Sequence, residues 1–270
     1  MEHDVFRLDA AGYAYNKNVA LKDINLSIRD GESLAIVGAN GSGKSTLLKM
    51  LDGLVFPTSG SIKFMGAVMT EGSMAEGSLK SFRERVGFVF AEPDVQLFCP
   101  TVYDEVAFGP LQLDLPEKEV RGRVDDLLSM LGITRLSDRA PYSLSSGEKK
   151  KVAIAAVLAL NPDVLLLDEP TNALDPRTQV WLFELIAKFK ALKKTFVIAT
   201  HDLSLAADFA DRVAVLDESH TVLAQGPALK VLEDKALLLR ANIIHEHVHR
   251  HGRVTHIHSH GPYSTHDEHD

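Results

Sequence analysis

Residues 34–37 are four apolar positions with no charge among them, which predicts a short buried strand. The strand runs into a glycine-rich loop, and residues 45–51 then take helical apolar spacing. The motif repeats with different chemistry further on. Residues 164–167 are an apolar strand ending in two acids, Asp168 and Glu169, and residues 195–200 are a strand ending at His201 and Asp202. Residues 212–216 predict one more strand. Between these lie helical patterns. Residues 116–132 carry Val120, Val124, Leu127, Leu128 and Leu131 on one side, residues 152–160 are almost all apolar up to Asn161-Pro162, and residues 177–190 are amphipathic. Strands alternating with helices predict an α/β fold with a mostly parallel sheet covered on both faces. Before residue 36 the pattern predicts short strands, with a hairpin turn at residues 29–32, and the Gly/Ser-rich residues 70–78 predict an exposed loop. No internal repeat appears, so one such domain is expected and not two.

After about Asn242 the pattern stops. Nine of the twelve histidines fall between His245 and His269, and this stretch is expected to be a flexible tail outside the fold.

Composition narrows the class. With 45% hydrophobic and 24% charged residues, the chain reads as an ordinary globular protein. No stretch approaches the ~18 apolar residues of a membrane-spanning helix, and Met1-Glu2-His3-Asp4 is not a secretory signal. Cys99 is the single cysteine, so no intrachain disulfide forms, which fits a reducing cytosol. The formal charge of -8 argues against a nucleic-acid partner and means that a polyanion must be attracted by a local site.

That local site is legible. Gly38-Ala39-Asn40-Gly41-Ser42-Gly43-Lys44-Ser45-Thr46 matches G-x-x-x-x-G-K-[ST]. Glycines let successive backbone N–H groups converge on phosphate oxygens, and the helix that follows points its positive end at them. In such a loop Lys44 reaches the β- and γ-phosphates of ATP and the Ser45 hydroxyl ligates Mg²⁺. Asp168 is placed to hold Mg²⁺ at a strand end, where ligands bind in open α/β sheets. Glu169 is the candidate general base for the attacking water, and His201 is a candidate to bond the γ-phosphate and orient Glu169.

Leu144-Ser145-Ser146-Gly147-Glu148, followed by Lys149-Lys150-Lys151-Val152-Ala153-Ile154-Ala155, resembles the signature of ABC-type ATPases. The order of phosphate loop, signature, acidic strand, Asn172-Ala173-Leu174-Asp175 and His201 fits the same family over roughly residues 5–226. The resemblance implies a P-loop NTPase with a RecA-like core, an N-terminal antiparallel β subdomain and an inserted helical subdomain at about 92–160, within an ATPase domain of residues 1–242. It also implies a second cassette, identical or homologous, with Ser145 and Gly147 acting on the ATP held by that partner. Tyr15 matches the aromatic residue that stacks on adenine. The chain departs from the family's signature at Ser146 and Glu148, where a glycine and a glutamine are usual, and Ser146 is expected to crowd the closed dimer slightly. Ala91 stands where the family has a glutamine that contacts Mg²⁺ and the membrane partner, with Glu92 and Gln96 as alternative stand-ins.

The segments Pro93-Asp94-Val95-Gln96-Leu97-Phe98 and Val102-Tyr103-Asp104-Glu105-Val106-Ala107-Phe108-Gly109-Pro110 are similar to the energy-coupling-factor (ECF) branch, which includes cobalt and nickel importers. There the resemblance implies a groove for a coupling helix of a hydrophobic membrane subunit, with Leu97, Phe98, Val106 and Phe108 supplying apolar area, a further substrate-binding membrane subunit, and a place on the cytoplasmic membrane face. An ECF ATPase for another micronutrient such as a vitamin, a soluble non-transport ABC ATPase, and a metal-storage protein with an inert nucleotide domain remain as alternatives.

In the tail, His245, His247, His249 and His251 recur at period two, as do His256, His258 and His260. In an extended chain each set shares a face. Neutral imidazole suits Ni, Co, Cu and Zn, so residues 243–270 are expected to bind a transition metal such as Ni²⁺ or Co²⁺.

Overall fold

The computed structural model describes residues 4–74, 76–251 and 254–260, with only the backbone described for residues 76–77, 245–251 and 254–260. The chain divides into two compact units, Met1–Val68 with Ile198–Asp270, and Met69–Val197.

The first unit opens with two long strands, β1 (Asp4–Tyr15) and β2 (Asn18–Arg29). They pair antiparallel down to Tyr15↔Asn18. Residues 30–32 then carry the chain to β3 (Ser33–Gly38), every residue of which is buried. The connection at 29–32 is a turn between sheets and not the hairpin that its sequence suggests, because β3 pairs elsewhere. Glu32 explains the geometry. Its carboxylate accepts from the Arg29 backbone N–H at 2.9 Å and from Arg212 Nε at 2.6 Å, tying the turn to a strand that arrives 180 residues later. Helix α1 (Lys44–Leu51) follows, then β4 (Ser59–Phe64) and β5 (Ala67–Val68). The order β2-β1-β4-β5 makes a four-stranded antiparallel sheet, the β subdomain that the family resemblance implies.

The second unit begins with α2 (Glu76–Arg85), which occupies part of the stretch expected to be loop. It continues with β6 (Val86–Val89), α3 (Val102–Gln112), α4 (Glu117–Met130), α5 (Ser146–Leu158), β7 (Val164–Asp168) and α6 (Pro176–Ala191). Strands β6 and β7 pair in parallel, Val86↔Val164 to Val89↔Leu167. Helix α5 lies tightly on β6: a Cβ at Gly87 would sit 2.4 Å from Val157 Cγ1. The second half of α5 is the buried part, with Val152, Ala153, Ile154, Ala155, Val157 and Leu158 all in the core.

Strand β8 (Thr195–Thr200) runs from the second unit into the first. Back in the first unit come α7 (Leu203–Phe209), β9 (Arg212–Leu216), β10 (Val222–Pro227), α8 (Ala228–Leu232) and α9 (Lys235–Arg240). Strand β9 pairs parallel with β3, Leu34↔Arg212 to Gly38↔Leu216, and antiparallel with β10. Ala35, Val37, Val213, Val215, Leu238, Ala241 and Ile244 share one buried cluster, so the folded core extends two residues past Asn242. Beyond it, β11 (His245–His251) and β12 (Val254–His260) form an antiparallel ribbon in the stretch expected to be a tail. Residues 261–270 lie outside the described residues. Among the described residues no helix is long and apolar enough to cross a membrane.

Candidate functional site: a phosphate loop and a signature helix

In the first unit the loop between β3 and α1 is shaped by its glycines. Gly41 and Gly43 have φ of 84° and 109°, the left-handed region that glycine enters without penalty. A Cβ at Gly43 would lie 2.3 Å from the Ala20 carbonyl oxygen, and one at Gly38 would lie 2.6 Å from the Leu216 oxygen. The loop is thus clamped by β2 on one side and β9 on the other. Gly41 has nothing within 4 Å of its Cβ position, so the crest of the loop is open. Gly43 is the N-cap of α1, a position where no side chain stands between the helix N-terminus and a ligand. The Ser42 hydroxyl is buried with no hydrogen-bond partner, and the Ser42 carbonyl oxygen lies 3.3 Å from His220 Nδ1.

Lys44 is 6% exposed, and its Nζ donates to the carbonyls of Gly38 at 2.9 Å and Ala39 at 3.2 Å. This folds the side chain back over the start of the loop and sets its charge against the loop backbone. Asn40 and Gly41 are exposed, Ala39 and Ser45 half-buried, and Thr46 buried. An open crest, a helix N-terminus, a buried cation and the buried Ser42 hydroxyl fit a phosphate chain, and the Ser45 hydroxyl has the hard-oxygen character that Mg²⁺ requires.

Tyr15 ends β1, 41% exposed, with its ring edge-on to Tyr13 at a centroid distance of 4.9 Å. The hairpin end that carries it adjoins the phosphate loop through Ala20. His201 is exposed just after β8, where Asp202 caps α7 by accepting from the N–H groups of Ser204 and Leu205.

In the second unit Asp168 and Glu169 end the wholly buried strand β7 at 4% and 7% exposure. Glu169 has φ of 40°, a left-handed backbone that a side-chain-bearing residue adopts at some cost. Asn172-Ala173-Leu174-Asp175 turns the chain into α6, with Asp175 accepting from the N–H groups of Arg177 and Thr178.

The signature starts α5 and is brought against that turn. Ser145 is the N-cap of a capping box: its side chain accepts from the Glu148 N–H while the Glu148 carboxylate accepts from the Ser145 N–H at 3.1 Å. The Ser145 hydroxyl also lies 3.0 Å from that carboxylate. Arg135 donates to Glu148 at 2.7 Å. The Ser145 N–H bond, helped by Arg135, holds the Glu148 carboxyl below the usual range. Ser146 donates its hydroxyl to the Ala173 carbonyl at 3.1 Å, so its extra atoms have a partner within the subunit. Gly147 is the tight position, with a Cβ there falling 3.1 Å from Thr178 Oγ1. Ser145, Gly147, Arg135, Lys151, Arg177 and Trp181 line an open cavity of about 690 Å³.

The three lysines after the signature meet three fates, since each step along a helix turns about 100°. Lys149 pairs with Asp94 at 2.5 Å, and Lys151 lies over the Trp181 ring at 4.6 Å. Lys150 is buried, 1% exposed, and donates to the carbonyls of Phe90 at 3.1 Å and Ala91 at 2.8 Å. Burial pushes its ammonium down to about 8, against the opposing pull of Asp168 and Glu169. Lys150 was invisible as a special residue inside a charged run; its only sequence signal is its place on the helix face that Val152 and Ala153 leave toward β6.

The segment lacking the family glutamine is held from the side chains around it. Gln96 accepts from the Phe90 N–H at 3.1 Å, so this glutamine braces the main chain beside Ala91. Glu92 is exposed. Of the four apolar residues expected to form a groove, Val106 is core and is fully buried. Leu97 is half-buried. Phe98 and Phe108 are 67% and 40% exposed and meet edge to face at 4.9 Å.

Comparison with known proteins agrees with this geometry. The family model described as ABC transporter matches residues 21–172. The nickel import ATP-binding protein NikO of Rhodobacter capsulatus is 48% identical, over 88% of this chain and 95% of that one. The cobalt import ATP-binding protein CbiO of the same organism is 45% identical, over 88% of this chain and 84% of that one. Among solved structures, cbiO1 of Clostridium perfringens, described as part of the ABC transporter complex cbiONQ, aligns with a TM-score of 0.75 and 39% identity, covering 90% of this chain and 96% of that one. The open glycine loop, the strained acidic strand end and the capped signature helix therefore sit in a chain that belongs to the ABC transporter ATP-binding family and is an ATPase.

Proposed function

We propose that this ATPase is the motor subunit of an ECF-type importer of nickel or cobalt ions. Support for the substrate comes from its similarity to nickel and cobalt import proteins over most of their lengths. The observation that carries the motor role is the phosphate loop: a clamped glycine arch with an open crest and a buried Lys44.

In this reading the loop holds the phosphates of ATP, with Lys44 countering their charge and Tyr15 offering its ring face to the adenine. Ser45 offers a hydroxyl and Asp168 a carboxylate, the hard oxygen donors that would hold Mg²⁺, an ion that would neutralise charge on the phosphate oxygens when bound. Glu169 is the general base for the attacking water, and His201 is the polar group that the family resemblance assigns to the γ-phosphate. Ser145 and Gly147 present the N-terminal end of α5 to the nucleotide of a second cassette, so that ATP closes two subunits and hydrolysis releases them. The subunit lies at the cytoplasmic membrane face, held by a hydrophobic coupling subunit. The exposed Phe98 and Phe108 provide apolar area for that subunit, and a separate membrane subunit binds the substrate.

The test is to purify the chain with its membrane partners, rebuild the complex in liposomes, and measure ATP-driven uptake of radioactive Ni²⁺ and Co²⁺. The reading expects uptake of at least one of the two, lost in the Glu169→Gln complex. ATP hydrolysis with uptake of a vitamin and no uptake of either metal would refute the metal assignment. Absence of any membrane partner would refute the transport role.

A further inference from the structure

The ribbon of β11 and β12 places the histidines in a way that neither strand alone reveals. The register is His245↔His260, Glu246↔Ser259, His247↔His258, Val248↔Ile257, His249↔His256, Arg250↔Thr255 and His251↔Val254. Alternate residues of a strand point to opposite faces, and directly opposed residues share one. One face of the ribbon therefore carries His245, His247, His249 and His251 from β11 with His256, His258 and His260 from β12, leaving Val254 as its one other residue. The opposite face carries no histidine: Glu246, Val248, Arg250, Thr255, Ile257 and Ser259. A shift of one residue in register would set the histidines of one strand against the other face, so this pairing is the arrangement that concentrates them.

We infer that this face is a binding site for divalent transition-metal ions, with the cross-strand histidine pair as its unit. Directly opposed residues in an antiparallel ribbon have Cβ atoms about 4.5–5.5 Å apart. Histidine nitrogens bind such ions at about 2.0–2.1 Å, and the register sets one histidine opposite another at three levels, His245/His260, His247/His258 and His249/His256, spaced at roughly 6.6–6.8 Å, two residues of strand rise. The donor set is borderline-soft and carries no carboxylate, so it selects Ni²⁺, Co²⁺, Cu²⁺ and Zn²⁺ over Mg²⁺ and Ca²⁺. The site is separate from the nucleotide loop in chemistry and sequence, and the inference does not depend on the transport reading.

The register makes the inference testable by counting ions. Full-length, untagged, chelator-stripped protein is titrated with Ni²⁺ by calorimetry, and bound metal is counted after gel filtration. The wild type is expected to take up about three ions per chain, one per pair. The His247→Gln/His258→Gln variant removes one pair and should lose about one ion. The His247→Gln/His256→Gln variant removes the same number of imidazoles from two different pairs and should lose about two. Replacing all seven ribbon histidines by Gln should abolish this binding while leaving ATP hydrolysis by the protein unchanged. Equal losses in the two double variants would overturn the paired arrangement, and undiminished Ni²⁺ binding in the sevenfold variant would overturn the site.

Discussion

Each unit holds one buried lysine whose ammonium donates to two successive backbone carbonyls beyond a buried strand. Lys44 bonds Gly38 and Ala39, and Lys150 bonds Phe90 and Ala91. The local chemistry is the same; the surroundings divide the roles. Beside Lys44 the loop crest is open at Asn40 and Gly41. Lys150 is sealed in where α5 meets the 86–98 segment, at 1% exposure. An ammonium on backbone carbonyls becomes a ligand site only where the backbone also leaves room. Elsewhere it is a fastener, and here it fastens the segment where Ala91 replaces a glutamine.

The largest effects should break the first site and leave the second intact. Gly43→Ala introduces a Cβ 2.3 Å from the Ala20 carbonyl at φ of 109°, so the loop must shift. ATP affinity should fall about 1,000-fold, equivalent to roughly 4 kcal/mol, by fluorescence titration. The matching change Gly147→Ala meets Thr178 Oγ1 at 3.1 Å, with Asp175 Oδ2 and Thr178 Cγ2 at 3.5 Å, and should leave ATP affinity unaltered. Equal losses from the two glycines would erase the distinction drawn between the units.

Lys150→Met sharpens the fastener half of the comparison through pH. The folded ammonium titrates at about 8 against an ordinary 10.5. Below pH 8 the cost of burying the charge is fully present; between the two values the unfolded chain binds more protons, so stability rises with pH. Relative to Lys150→Met, the wild type should gain about 3 kcal/mol between pH 8 and pH 10.5, read by denaturant unfolding at each pH. A pH-independent difference would show that the ammonium is not held as described. ATP affinity at pH 7 should match the wild type.

Smaller effects are expected at the signature. Glu148→Ala removes half of the capping box and the partner of Arg135; it should cost about 1 kcal/mol and lower Tm by roughly 2–4 °C without altering ATP affinity. Ser146→Gly removes one exposed bond to Ala173 and should change stability by less than about 1 kcal/mol. A larger loss there would mean that the departure from the family's glycine is a requirement of this chain's fold.

The sequence made the strands that end in chemistry legible. Strands β3, β7, β8 and β9 are continuous apolar runs closed by glycine, acid or histidine, and local pattern suffices to find them. The turn at 29–32 could not be read, because Glu32 is satisfied by Arg212 from the far end of the chain. Nor could α2, whose glycine- and serine-containing start has loop composition while its later turns carry the helix into β6. Within the candidate site the phosphate loop, the acidic pair and the signature follow from motifs. Lys150 and the Ser146–Ala173 contact depend on which side of α5 faces its neighbours, and a charged run conceals that. The histidine pattern showed two one-faced sets, but only strand register tells whether those faces coincide.

The account's central claim is that the phosphate loop is half a site, completed by the signature of a second cassette. It is tested most directly by the molar mass in solution of the Glu169→Gln protein, saturated with Mg·ATP, by light scattering on a sizing column. The account predicts twice the mass found without nucleotide, and a return to the single-chain mass when Gly147→Arg is added with ATP affinity retained. A single-chain mass at saturating ATP would contradict it.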